Sequence, residues 1–209
     1  MNARVIRIDP DRYDPELVRE AREAVLGDEV VVYPTETFYG MGANAYSKAG
    51  VWKVYSLKER DLGMPLSVVV SDLASAEACS ENLPPMFFDL ARRFWPGPLT
   101  MVVQARPLFP PEMLGEGGTL AIRVPGLAWL RDFLKDLGVP LTATSANRSG
   151  RGEISDPGRI RRDFGRQDVM IIDGGPTPGG KPSTIVDLTV DPPLILREGA
   201  IPREQILRF

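Results

Sequence analysis

Residues 30–45 read VVVYPTETFYGMGANA, and the fold turns on how they are read. Val30, Val31, Val32 and Tyr33 join β-branched and aromatic residues without interruption, as expected of a buried central strand. Pro34 ends the ladder because it has no N–H to donate. A hydroxyl-rich turn, Thr35-Glu36-Thr37, leads into a segment punctuated by Gly40 and Gly42. Small residues allow close backbone approach, and hydroxyls beside them can satisfy the oxygens of a carboxylate or phosphate. An ordinary exit from strand to loop has the same composition, so the choice rests on the rest of the chain.

Outward from this stretch, strand patterns fall at residues 5–8, 66–70, 99–105, 120–124, 141–144, 169–173, 183–188 and 194–197. Helical patterns alternate with them. Asp14-Pro15 is a cap followed by proline at the first helical position, with Leu17, Val18, Ala21, Ala24 and Val25 as its apolar stripe and Gly27 as its stop. Residues 48–58 predict a helix with Val51, Trp52 and Tyr55 inward, and residues 73–80, 84–94 and 127–137 predict three more. The 20 glycines and 20 prolines gather in the connections. The expected fold is α/β: a single, loop-rich domain, spanning 1–209 with its core at about 10–201, built on a twisted mixed sheet flanked by helices. No second C-terminal domain is expected.

Composition narrows the chemistry. The chain has 209 residues, no histidine and one cysteine. Ser-His-Asp and Cys-His catalysis, histidine metal sites and an intrachain disulfide are thereby excluded. Cys79, among alanines and serines, reads as a small buried hydrophobe. A net charge of −3 supplies no general attraction for nucleic acid or anionic membrane, so an anion site must be local. Residues 1–12 lack the apolar segment of a signal peptide and no run approaches a membrane span, so a soluble, cytoplasmic protein is expected.

Four further stretches carry possible chemistry. Lys58-Glu59-Arg60 ends a helix; its cations either complement the helix dipole or reach together toward a polyanion. Thr144 to Gly150, TSANRSG, follows a strand at the place where open α/β sheets bind ligands, although serine and asparagine also serve as caps and turns. The run from Gly175 to Ser183 nearly matches a phosphate-binding G-x-x-x-x-G-K-[ST] loop, but Pro182 replaces the hydroxyl and a strand pattern follows, which rejects that reading. Arg123 and Arg197 stand at strand ends.

Together PTETFYGMGANA, Lys58-x-Arg60, Arg123 in IRVPG, Ser145-x-Asn147, KPSTIVD at 181–187 and Arg197-Glu198-Gly199 resemble the YrdC-like family, over nearly the whole chain. The resemblance implies formation of L-threonylcarbamoyl-AMP and pyrophosphate from L-threonine, bicarbonate or CO2, and ATP. Partner proteins would then pass the threonylcarbamoyl group to an adenosine beside the tRNA anticodon. It implies a concave, locally positive cavity and a nucleotidyltransferase acting without a tightly bound cofactor, Mg2+ arriving with ATP. Lys58 and Arg60 would be the catalytic cations holding the triphosphate. Thr119, Ser145, Asn147 and Arg197 would complete the ATP site. Thr35, Ser67, Arg123 and Ser183 would hold threonine, Arg123 its carboxylate. The chain departs from the family pattern at Asp61, where proline is common, and at Met64, where lysine or asparagine is common. Two alternatives stand beside this reading: a carbamoyl-adenylate enzyme with another acceptor, and a non-catalytic RNA-binding or ribosome-associated module. Net acidity argues against the last.

Overall fold

The computed structural model describes residues 2–148, 150 and 152–208, so Ser149 of the TSANRSG stretch lies outside the described residues. The strands are β1 (Arg4–Arg7), β2 (Val30–Tyr33), β3 (Gly40–Gly42), β4 (Ser67–Val69), β5 (Ser80–Glu81), β6 (Leu99–Ala105), β7 (Thr119–Arg123), β8 (Leu141–Ser145), β9 (Val169–Asp173), β10 (Thr184–Asp187) and β11 (Leu194–Arg197). The helices are α1 (Arg19–Leu26), α2 (Lys48–Lys58), α3 (Leu73–Cys79), α4 (Pro85–Phe94), α5 (Ala128–Leu137), α6 (Pro157–Phe164) and α7 (Arg203–Ile206). The strands join in one mixed sheet, ordered β1-β9-β2-β3-β8-β4-β7-β6-β10-β11, with β5 paired to β6.

Period-two alternation sends neighbouring residues of the central strands into two different cores. Val30 and Val32 of β2 pack with Val169 and Ile171 of β9 under α2, α3, α4 and α6. Val31 and Tyr33 pack with Met170 and Ile172 on the other face, under α1 and α5. A strand buried on both faces needs no polar residue, which is why VVVY is unbroken. Gly138 closes α5 at φ 73°, a left-handed conformation that glycine enters without strain.

Some expectations are corrected. Residues 40–42, read as loop, form β3, antiparallel to both β2 and β8. The first helix begins at Arg19 rather than beside Asp14, leaving Leu17 44% exposed. Trp52, expected inward, is 42% exposed: the buried face of α2 runs through Val51, Val54, Tyr55 and Lys58, and Trp52 lies off it. Helices α6 and α7 were not among the predicted helices, and each is short.

β8 joins the two halves of the sheet. Its residues Thr144 and Ser145 pair with β3, and Leu141 to Ala143 pair with β4. Beyond α1 and α5, the sheet face that they cover continues across β8, β4, β7, β6 and β10. There the residues facing out alternate along each strand: Ser67 and Val69, Thr100 and Val102, Ala121 and Arg123, Ala143 and Ser145. The small size of Ser67, Thr100, Ala121, Ala143 and Ser145 leaves a hollow in place of a packed layer.

Candidate active site

The hollow is a cleft of about 370 Å³. Among the described residues three guanidinium groups line it, Arg60, Arg123 and Arg197, against one carboxylate, Glu153. The local excess of positive charge exists in a chain whose net charge is −3 because the cations converge from three separate elements. Of the residues singled out in the sequence, Thr35, Arg60, Ser67, Arg123, Ser145, Ser183 and Arg197 line this one cleft. Thr119, Lys58 and Asn147 do not.

Thr119 opens β7 on the same face as Ala121 and Arg123, but it sits at the far end of the strand beside Gln104 and Gly115. The expected ATP contact is therefore not brought together with the others.

Lys58, at the end of α2, does not reach outward as either reading of its stretch would have it. It is 2% exposed. Its spacing explains this: it follows Tyr55 by three residues, Val54 by four and Val51 by seven, all on the buried face of α2. The ammonium donates to Ser145 O at 2.5 Å, Asn147 O at 2.7 Å and Asn147 Oδ1 at 3.1 Å, so its three N–H groups are committed to the turn after β8. Ser145 Oγ donates to Asn147 Oδ1 at 2.6 Å and tightens the same turn. The K-x-R and S-x-N stretches, 87 residues apart, thus form one unit. Burial, reinforced by the charge of Arg60, pushes the Lys58 pKa down to about 8.

Arg60 leaves the buried helix face because Glu59 turns the chain through a left-handed conformation at φ 52°. Its guanidinium donates to Pro65 O at 2.9 Å and faces the cleft. Desolvation lowers its pKa from the ordinary arginine value, and the same holds for Arg197. Met64, in the loop that Arg60 braces, is 50% exposed, so a polar residue there would bury no charge.

On the opposite wall, Arg197 donates from Nε and Nη2 to Ser183 O, and from Nη2 to Ser183 Oγ at 3.1 Å. Thr100 Oγ1 also donates to Ser183 Oγ, at 2.9 Å. With both lone pairs of that oxygen used, the Ser183 hydroxyl proton is left for another acceptor. Thr35 Oγ1 donates to Phe38 O at 2.7 Å and accepts from Thr37 N, which shapes the PTETF turn. Ser67 Oγ donates to Ala143 O at 2.5 Å across the β4–β8 pair.

Sequence reading missed Thr100 and Glu153. Thr100 and Gln104 are the polar residues in the otherwise apolar β6, and that interruption was the available signal. Glu153 carried none, because its approach to Arg197 depends on the path of the chain between β8 and α6.

Comparison with known proteins converges on one family. The Sua5/YciO/YrdC family model, described as "Telomere recombination", matches residues 23–199. A threonylcarbamoyl-AMP synthase of Bacillus subtilis is 36% identical over 194 residues, 92% of this chain and 56% of that protein. A structure of Pyrococcus abyssi Sua5 complexed with L-threonine matches with a TM-score of 0.91 at 33% identity, over 100% of this chain and 60% of that one. Escherichia coli YciO matches with a TM-score of 0.87 at 29% identity, over 96% of this chain and 97% of that one. The chain thus spans a little over half the length of the Bacillus relative, and nearly the whole of YciO. With the family model covering residues 23–199, and with the PTET, K-x-R and S-x-N stretches meeting around one cleft, this chain belongs to the Sua5/YciO/YrdC family.

Proposed function

We propose that this chain is a nucleotidyltransferase that forms L-threonylcarbamoyl-AMP and pyrophosphate from L-threonine, CO2 or bicarbonate, and ATP. The observation that carries the reading is the convergence of Arg60, Arg123 and Arg197 with the hydroxyls of Ser145 and Ser183 in one cleft of about 370 Å³. Support comes from the synthase relatives and from the Sua5 neighbour complexed with L-threonine.

Threonine's amine adds to CO2 and loses protons, giving a carbamate. A carbamate oxygen then attacks the α-phosphorus of ATP, and the bond to the β-phosphate bridging oxygen breaks to release pyrophosphate. The carbamate is already an oxyanion nucleophile, so no histidine is required for the attack. The protein's contribution is positioning and charge stabilisation. Arg60 and Arg197 would face the phosphates as they change charge, with Ser145 beside them. Lys58 would act through the turn it holds, adding a buried positive charge behind Ser145 and Asn147. Arg123 would pair with the threonine carboxylate, and the free proton of Ser183, with Thr35 and Ser67 alongside, would meet the remaining polar atoms of threonine. Magnesium would arrive with ATP as MgATP and keep several of its waters. The product would serve threonylcarbamoylation of tRNA in the cytoplasm through partner proteins.

The departures at Asp61 and Met64, next to the proposed phosphate site, favour a second reading, a carbamoyl-adenylate-forming relative with another acceptor. Pyrophosphate release from ATP, assayed with threonine and bicarbonate present singly and together, tests both. Release only with both supports the synthase. Release that ignores threonine but needs bicarbonate and another amine supports the second reading, and ATP turnover without bicarbonate sinks both.

A further inference from the structure

Glu36 lies in the PTETF turn, outside the cleft lining and directly behind Arg123. Arg123 Nη2 donates to Glu36 Oε1, and the backbone N–H of Gly126 donates to the same oxygen at 2.6 Å. Glu36 Oε2 is buried and accepts no hydrogen bond among the described residues. An arginine and a carboxylate left to themselves pair through two parallel hydrogen bonds. Here the side-on fork of Nε and Nη2 is shared between two partners: Arg123 Nε donates to Gly97 O at 3.0 Å, and Gly97 is held in turn by its own N–H to Val124 O at 3.0 Å. The carboxylate is pinned from the other side as well. A Cβ on Gly126 would meet Glu36 Oε1 at 3.0 Å, and Arg131 Nη1 donates to Pro125 O and Gly126 O at 3.0 and 2.7 Å, holding that loop in place. The guanidinium is thereby clamped at Nε and Nη2 while Arg123 still lines the cleft, which leaves Nη1 as the edge not engaged by either clamp.

We infer that Glu36 is a positioning residue which, together with Gly97 and Gly126, locks Arg123 so that its Nη1 edge faces the carboxylate of an amino-acid substrate. The inference rests on the reading of Arg123 as the carboxylate contact and goes beyond it. It makes amino-acid affinity depend on a residue that never touches the ligand. The end-on pairing also follows from it: a bidentate partner would occupy the fork, and no partner would let the side chain rotate away.

The test uses the full chain with L-threonine as probe, by isothermal titration and by steady-state pyrophosphate release, and a thermal melt of each variant. Glu36→Gln keeps an amide oxygen where Oε1 accepts both hydrogen bonds, and should bind threonine within threefold of the wild type. Glu36→Asp keeps the charge but is one methylene short, and should weaken threonine binding at least tenfold. Glu36→Ala should do the same, raising KM for threonine while KM for ATP stays within twofold and kcat within threefold. The double variant Glu36→Ala/Arg123→Ala should bind no more weakly than Arg123→Ala, because Glu36 acts through Arg123. Wild-type threonine affinity in Glu36→Asp, with Arg123→Ala impaired, overturns this inference and leaves the carboxylate reading standing. Wild-type affinity in Arg123→Ala overturns the carboxylate reading and this inference with it. Equal losses for threonine and ATP, or additive losses in the double variant, overturn the positioning role. Should Glu36→Ala fail to fold, the contrast between Asp and Gln decides alone.

Discussion

Lys58 keeps a charge where a charge is expensive. It is tolerated because Ser145 O, Asn147 O and Asn147 Oδ1 replace the water that an ammonium would otherwise hold. Lys58→Met should orphan those acceptors, at roughly 1–3 kcal/mol for each buried group left unpaired. The expected result is a lower melting temperature, by about 2–4 °C for each kcal/mol in a chain of this size, read by calorimetry. The pH dependence has a definite sign. Folded Lys58 loses its proton near pH 8, whereas the unfolded chain holds it to the ordinary value of 10.5. Between those values the unfolded state binds more protons, so stability rises with pH relative to Lys58→Met, and the penalty of the buried charge is present in full below the window. Affinity for a triphosphate should move the opposite way, falling as the charge disappears. Wild-type melting that shows no gain over Lys58→Met between pH 8 and 10 would contradict this account.

At the scale of the element, β3 has the most to explain, since two of its three residues are glycine. A Cβ at Gly42 would stand 1.9 Å from Thr142 O, and one at Gly40 would stand 2.8 Å from the ring of Tyr33. The ring crosses Gly40 so that the Tyr33 hydroxyl can donate to Thr142 O at 3.1 Å, tying β2 to β8 over the top of β3. These glycines therefore serve the packing of the sheet, and only Gly40 also borders the cleft. Gly42→Ala should wedge β3 away from β8 and cost roughly 1–3 kcal/mol or more, as overpacked sites do. A urea midpoint measures it; an unchanged midpoint would show that the β3–β8 junction relaxes freely.

Across the whole molecule, the cleft exists because one half of a sheet face is covered and the other is not. Helices α1 and α5 bury the first half with large side chains such as Trp129 and Phe133, while Ser67, Thr100, Ala121 and Ala143 leave the second half hollow. Strands β2 and β9 feed both cores, so neither core can come apart without breaking the same ladders. Unfolding by urea should accordingly give coincident transitions by far-UV circular dichroism and tryptophan fluorescence; two separated midpoints would mean that the cores are independent. Local pattern was enough to place most of the elements. The apolar run of β2, the extent of α2, the stripe and glycine stop of α5, and the strands β6, β9 and β11 follow from periodicity and turn chemistry acting within a few residues. The motifs were legible in the same way, as residue types that could serve an anion or merely cap a helix, before any contact was known. Local pattern could not reveal β3, whose strand geometry depends on partners from β2 and β8 and overrides the low strand preference of glycine. It could not reveal the burial of Lys58 against a turn 87 residues away, the clamp on Arg123, or the place of Glu153 in the wall. These depend on distances between elements, and such distances are set by how the two faces of the sheet are packed.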